Sequence, residues 1–256
     1  MPRFTPALGL PCWVELDTGD LSAAIDFYTS LFGWEARRGD PPHDGYVTFH
    51  VGGDPVAGAI AKPYEPAFPD AWFPYLLVAD ASAAAETART AGAEVLGPMA
   101  IEGRGDLVIV DPPGGGAVQL WQPRGHEGFG IVSEAGAPMW FELLSREYDT
   151  SLEFAHAVLG WHTVDVTAGI ATRFVAAVDS AGEARAGLGD EPDHPRGSHW
   201  LTYFGSLDVD ATAARAAELG GSVVVEPHST PYGRLATIAD PWGAVFALMS
   251  APGAPA

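Results

Sequence analysis

Residues 13–34 read WVELDTGDLSAAIDFYTSLFGW, and residues 140–161 read WFELLSREYDTSLEFAHAVLGW. The two stretches align without a gap, at a constant separation of 127 positions. Both begin and end with Trp, and both carry Glu two places after the first Trp and Gly just before the second. A repeat at so long and so constant a spacing indicates that one folding unit occurs twice, and each copy is large enough to be a domain.

Each copy of this stretch predicts a strand followed by a helix. In the first copy, Trp13 and Glu15 alternate onto one face of a strand over 10–17. Apolar residues over 21–32 then recur at helical spacing, and Gly33 follows where a helix would end. Short strand patterns come next, and the order strand, helix, three strands occurs four times. We therefore predict four βαβββ modules, over 10–62, 72–122, 139–189 and 199–250.

The four modules are expected to pair into two domains of an α+β fold. The first domain spans 8–123 and the second 138–251, with a linker over 124–137 that is rich in Gly and has no periodicity. In each domain, two modules side by side form one curled mixed sheet with its helices outside. The uncovered concave face of that sheet is called the cup here. Concave, partly apolar surfaces of this kind bind small molecules.

Composition limits the partners that can be expected. The 256 residues are 47% hydrophobic and include eight Trp, and the net charge is −20 from 13 basic and 33 acidic residues. Such a charge repels nucleic acid and anionic membrane surfaces. No apolar run approaches the roughly 20 residues that span a bilayer, and the first residues lack a secretory signal pattern. We expect a cytoplasmic monomer or homodimer whose partner is a small molecule.

The arrangement resembles the vicinal oxygen chelate superfamily, which includes glyoxalase I, extradiol dioxygenases and bleomycin-resistance proteins. The resemblance rests on the pattern D-L-S-x-x-I-x-F-Y-x-x-L-F-G-W from Asp20 to Trp34. It also rests on the turns Asp111-Pro-Pro-Gly and Asp240-Pro-Trp-Gly, each before a last strand. The tandem form is similar to actinobacterial two-domain members described as hydroxylase-like or glyoxalase-like. The resemblance implies the fold and, in most members, one divalent metal ion.

The metal ligands that the resemblance implies can be placed on this chain. They are His, Glu or Gln on the first and last strands of the paired modules. These positions fall on Trp13, Phe73, Gln119 and near Gly58 in the first domain, and on Trp140, Leu201, Ala247 and near Gly187 in the second. Among these residues only Gln119 offers a donor, whereas a divalent first-row ion needs at least three protein ligands. We therefore expect neither metal nor cofactor. A metal-dependent lyase or dioxygenase, using Glu142 and His199, stays open as an alternative.

The candidate site residues are those expected on the cup faces. The candidate ligand-binding residues are Trp13, Phe73, Tyr75, Gln119 and Trp121 in the first cup, and Trp140, His199, Leu201 and Tyr203 in the second. Their rings either fill the cups as core or stack against a flat ligand. Glu15 and Glu142 are candidate catalytic residues, because a carboxylate in an apolar cup has to be paired or functional. We expect at least one of them to accept a hydrogen bond that keeps it ionised at neutral pH.

These features favour a metal-independent protein that binds, sequesters or transforms a small organic molecule, aromatic in part or cationic. A structural or interaction protein with filled cups is the other alternative. An open cavity in a cup would favour binding.

Overall fold

The first half of the chain forms one eight-stranded mixed sheet. The computed structural model describes residues 4–62, 70–166 and 172–254. The strands of this sheet are β1 (Pro11–Thr18), β2 (Glu35–Arg38), β3 (Tyr46–Val51), β4 (Asp54–Ala61), β5 (Ala71–Leu77), β6 (Glu94–Ile101), β7 (Gly105–Asp111) and β8 (Val118–Pro123). They lie in the order β2-β3-β4-β1-β5-β8-β7-β6. The central strands β1 and β5 pair antiparallel and join the two modules. Most of the segment between the predicted modules 10–62 and 72–122 falls at 63–69, outside the described residues.

The second half repeats this topology. Its strands are β9 (Pro138–Ser145), β10 (His162–Asp165), β11 (Phe174–Val178), β12 (Ala184–Asp190), β13 (His199–Ser206), β14 (Ser222–Thr230), β15 (Gly233–Ala239) and β16 (Val245–Ser250). They lie in the order β10-β11-β12-β9-β13-β16-β15-β14. The helices between these strands and those of the first sheet are α1 (Leu21–Phe32), α2 (Ala81–Thr90), α3 (Tyr148–Phe154) and α4 (Val209–Glu218). The predicted α+β class with two tandem domains is confirmed.

The first helix begins and ends where the sequence pattern places it. The side chain of Asp20 accepts a hydrogen bond from the backbone N–H of Ala23, and Gly33 ends the helix with φ 68°. Its counterpart α3 stops after Phe154, and the chain continues as a π-helical turn over Ala155–Leu159. Although the two sequence copies align without a gap, their helices therefore differ in their last turns.

Alternation along β1 and β5 gives each sheet its two faces. Trp13 lies opposite Tyr75, and Glu15 lies opposite Phe73, all on the cup side. Cys12 points to the other side, where its thiol donates to the carbonyl oxygen of Tyr75 at 3.3 Å. Burial raises the pKa of this thiol, so Cys12 is a core residue with no reactive thiolate.

The helix-covered faces of the two sheets share one core. Phe204 of β13 lies 5.4 Å from Phe32 and 5.3 Å from Trp34, measured between ring centroids. The hydroxyl of Tyr28 donates to Asp240 Oδ2 at 2.9 Å and accepts from Trp72 Nε1 at 3.0 Å. Because the helix sides meet, the cup faces point away from this shared core.

The segment predicted as a linker is packed against both halves. Phe129 lies 5.5 Å from the Trp13 ring and stacks on Phe141 at 5.8 Å, again between centroids. The carbonyl oxygen of Gly136 accepts from Trp34 Nε1 at 2.7 Å. Among the described helices, none is long and apolar enough to cross a membrane.

Candidate functional site

The first cup contains an open cavity of about 270 Å³. Its walls are rings and aliphatic side chains, chiefly Trp13, Tyr46, Tyr75, Trp121, Ile101 and Leu107. Glu15, Arg104 and His126 are its main polar groups. An apolar cleft with a few convergent polar groups is the usual form of a small-molecule site. The first cup is therefore not filled by its own aromatic residues.

A hydrogen-bond network lies at one end of this cavity. The indole N–H of Trp13 donates to the hydroxyl of Tyr46 at 2.8 Å, and the hydroxyls of Tyr46 and Tyr75 both bond to the carboxyl group of Glu15. Gly58 lies opposite Glu15 on the neighbouring strand. A Cβ at Gly58 would collide with the Tyr46 hydroxyl and lie 2.9 Å from Trp13 Nε1. The glycine therefore leaves the space that the network occupies.

Burial controls the protonation of Glu15. It raises the pKa of the carboxyl group to about 8, and the nearby charge of Asp17 raises it further, against the bonds from Tyr75 and Tyr46. We expected at least one of Glu15 and Glu142 to accept a hydrogen bond and stay ionised at neutral pH. Glu15 does not stay ionised there, because the loss of hydration outweighs the two hydroxyl donors. Near neutral pH this group can give or take a proton.

The cavity wall also carries a histidine and an arginine. Burial and the charge of Arg104 lower the pKa of His126 to about 4, so its ring is neutral. This ring packs edge-on against Trp13, with 4.5 Å between centroids and an interplanar angle of 88°. The backbone oxygen of His126 accepts from Trp121 Nε1 at 2.9 Å, which ties the segment after β8 to the cavity wall.

The second cup repeats the pairing of a carboxyl group with a tyrosine. The hydroxyl of Tyr203 donates to Glu142 Oε2 at 2.5 Å, and burial raises the pKa of Glu142 to about 7. A Cβ at Gly187 would collide with the ring of Phe174 and lie 2.9 Å from the indole of Trp140. In each cup, a glycine therefore leaves room for an aromatic ring.

The other residues predicted for the second cup form an apolar cluster. Leu201, Tyr203 and Ala247 are buried together, with Trp140 packed against them. In the described part of the chain, no hydrogen bond or ion pair joins His199 to Glu142. The ring of His199 packs on that of His194 at 4.3 Å between centroids, and its Nδ1 lies 2.9 Å from the Gly197 oxygen. Burial lowers the pKa of His199.

The side chains present do not fit the divalent metal site that the fold family implies. Among the described residues, no group of three or more His, Cys, Asp or Glu is placed to hold an ion. The space beside Gly58 is taken by the Tyr46 hydroxyl and the Trp13 indole. Glu142 is bonded to Tyr203 and not to His199. We derive no reaction step through a metal.

The structure brings together only part of the predicted site. Trp13, Glu15, Tyr75 and Trp121 line the cavity. Phe73 and Gln119 lie on the same face of the sheet beside it. Gln119 is buried, and its carbonyl oxygen has no hydrogen-bond partner among the residues described.

The lining residues that sequence reasoning missed include Tyr46, Arg104 and His126. Arg104 lies in a turn and His126 in the predicted linker, so strand alternation could not point to them. Tyr46 begins β3, and alternation along that strand is the signal that could have placed it on the cup face.

Comparison with known proteins places the chain in a family. The family model described as "Glyoxalase/Bleomycin resistance protein/Dioxygenase superfamily" matches residues 12–120 and 139–248. The chain therefore belongs to this superfamily and carries one copy of the domain in each half.

Individual relatives cover almost the whole chain. It is 39% identical over 252 residues to "Putative glyoxylase CFP32" of Mycobacterium tuberculosis, which covers 94% of each chain. It is 36% identical over 268 residues to "Anthracycline biosynthesis protein DnrV" of Streptomyces peucetius, covering 97% of this chain and 95% of that one. A Mn(II)-bound glyoxalase from Novosphingobium aromaticivorans superposes with a TM-score of 0.66 at 17% identity, covering 97% of this chain and 83% of that one. This last likeness shows the fold alone.

Proposed function

We propose that the first cup binds a small, flat, partly aromatic organic molecule without a metal ion. The observation that carries the proposal is the open cavity of about 270 Å³, walled by Trp13, Tyr75 and Trp121. A dry cavity of about 150 Å³ holds benzene, so this one has room for about two fused rings. Anthracyclines contain fused aromatic rings, so the Streptomyces relative named for their biosynthesis supports this ligand class.

The proposal is tested by filling the cavity. Leu107 lines the first cup opposite Trp121, and Leu235 holds the same place opposite Met249 in the second. We expect 2-naphthamide, a neutral two-ring probe, to bind the full chain saturably in isothermal titration calorimetry. Leu107→Trp should abolish this binding, because the new indole occupies the cavity. The matched variant Leu235→Trp should leave it unchanged. Binding that survives Leu107→Trp, or that is lost in Leu235→Trp, would contradict the placement in the first cup.

A second candidate function is proton transfer on the bound molecule. Glu15 supports this function because its side chain lines the cavity and has a pKa of about 8. The carboxylate takes a proton from the carbon next to a ketone, and the C–H electron pair moves towards the carbonyl oxygen to give an enolate. The protonated carboxyl then returns a proton to carbon.

In D2O this cycle exchanges the methyl protons of 2-acetonaphthone, which NMR follows directly. Glu15→Gln should reduce the exchange to the background rate. Equal exchange rates for Glu15→Gln and the unmodified chain would exclude this role and leave ligand binding in place.

A further inference from the structure

In the described part of the chain, no acid forms an ion pair with Arg104. Arg104 lines the first-cup cavity, and none of the ion pairs between described residues includes it. Asp106, two residues further on, is held by Arg124 at 2.6 Å. In a chain with a net charge of −20, a cation left without an acidic partner at the wall of a cavity needs a reason.

The backbone around Arg104 fixes its position. Its N–H donates to the oxygen of Ile101 at 2.9 Å, which closes the tight turn between β6 and β7. Its own carbonyl oxygen accepts from the N–H groups of Arg124 at 2.8 Å and His126 at 3.0 Å. Both halves of the turn are therefore anchored, and a ligand that meets this side chain does not have to order the loop first.

Four other ionisable groups of the cavity wall are neutral near pH 7. Burial raises the pKa of Glu15 to about 8 and lowers that of His126, with the help of Arg104, to about 4. Burial also raises the pKa of Tyr46 and Tyr75 well above 10. The charges of both Glu15 and Arg104 act on Tyr46, and all three residues line the same cavity.

We infer that the ligand of the first cup carries an anionic oxygen, a carboxylate or an acidic phenolate, and that Arg104 binds it. The flat rings then lie along Trp13 and Trp121, and an uncharged oxygen of the ligand meets Glu15. A planar guanidinium matches a carboxylate in geometry as well as charge. This inference rests on the proposed function and narrows the ligand class, since it favours an anion over the cation that the negative charge of the chain suggested.

Three probes of nearly equal shape test the charge. They are 2-naphthoate (anionic), 2-naphthamide (neutral) and 2-naphthamidine (cationic), titrated calorimetrically into the full chain at pH 7. We expect 2-naphthoate to bind at least about tenfold more tightly than 2-naphthamide, and 2-naphthamidine to bind most weakly. Arg104→Gln should weaken 2-naphthoate by about 10- to 100-fold, the range for hydrogen bonds to charged groups. It should change 2-naphthamide little. Arg215→Gln, which removes the same charge from α4, is the control and should change neither.

The possible outcomes separate this inference from the proposed function. If the three probes bind equally well, or if Arg104→Gln leaves the preference for the anion intact, the inference is wrong while the proposed function stands. If none of the three binds, both are wrong. If thermal unfolding shows that the Arg104→Gln variant does not fold, the inference is tested by the three probes on the unmodified chain and by the variant Arg104→Lys. The lysine variant keeps the charge and should keep part of the preference.

Discussion

At the scale of single residues, the buried carboxyl groups make the stability of the protein depend on pH. The carboxyl group of Glu15 has a pKa of 4.5 when it is exposed to water, and burial raises it to about 8 in the folded protein. Between these values the folded state holds a proton that the unfolded chain has released. The free energy of unfolding therefore falls as pH rises from about 4.5 to about 8, and the contribution of this group is flat outside that window. Glu142 acts in the same direction up to about pH 7.

We predict that Glu15→Gln flattens this dependence. Gln cannot ionise, so the variant should gain stability relative to the unmodified protein by up to about 1.4 kcal/mol per pH unit within the window. Urea unfolding at pH 5, 6.5 and 8 measures the effect, and Glu153→Gln, at an exposed position on the second domain, controls for the change in net charge. If the difference in the free energy of unfolding between Glu15→Gln and the unmodified chain stays constant across the three pH values, Glu15 is ionised throughout.

At the scale of secondary-structure elements, the π-helical turn after α3 ties the two halves together. It places the carbonyl oxygen of Leu159 against Gly9, where a Cβ would collide with that oxygen. The indole N–H of Trp161 donates to the oxygen of Gly9 at 2.8 Å. Gly9 has φ 76°, a left-handed conformation that favours glycine. Its surroundings also leave no room for a side chain.

The variants Gly9→Ala and Gly33→Ala separate the cost of the left-handed backbone from the cost of the steric collision. Gly33 has φ 68° and nothing within 4 Å of an added Cβ. We expect Gly33→Ala to lose about 1–2 kcal/mol of stability, the cost of the left-handed backbone alone. Gly9→Ala should lose about 1–3 kcal/mol more, the usual cost of overpacking. Urea unfolding of both variants measures the two losses of stability. Equal losses would mean that the backbone at Leu159 moves aside at little cost.

Local patterns account for how much of the architecture could be predicted from the sequence. The spacing of apolar residues and the glycine after them predicted α1 with its observed bounds, because these signals act within one element. The π-helical turn had no such signal, since its sequence aligns without a gap on the copy that forms the regular end of α1. The cup-facing Glu15 could be predicted from alternation along its strand, whereas Arg104 lies in a turn and His126 in the segment after β8, where alternation gives no signal.

At the scale of the whole molecule, the shared core makes the two domains one folding unit. Phe32 and Trp34 pack on Phe204, and Tyr28 bonds to Asp240, all across the boundary between the halves. Rings buried in this way lose their environment if either half unfolds. Separate unfolding of one domain would expose the core of the other.

We therefore predict one cooperative unfolding transition, with calorimetric and van't Hoff enthalpies that agree. Tyr28→Phe should lower its midpoint and keep it single. The variant leaves Asp240 Oδ2 and the Trp72 N–H without their buried partner, which costs about 1–3 kcal/mol. Tyr232→Phe removes an exposed hydroxyl and is the control. Two resolved transitions in the unmodified chain would show that the domains unfold independently.

The shared core also has a consequence for synthesis on the ribosome. The rings of α1 and Trp34 emerge early, but their partners Phe204 and Phe246 emerge only near the end of the chain. At about 5–20 residues per second, roughly 6–25 s pass between the synthesis of the end of β8 and that of Phe246. During that interval the nascent first half presents an unpaired aromatic surface, and chaperones that recognise apolar segments have time to bind it. This exposed surface can be detected by crosslinking a general chaperone to chains stalled after residue 137. The crosslink should be lost when Phe32 is replaced by Ser.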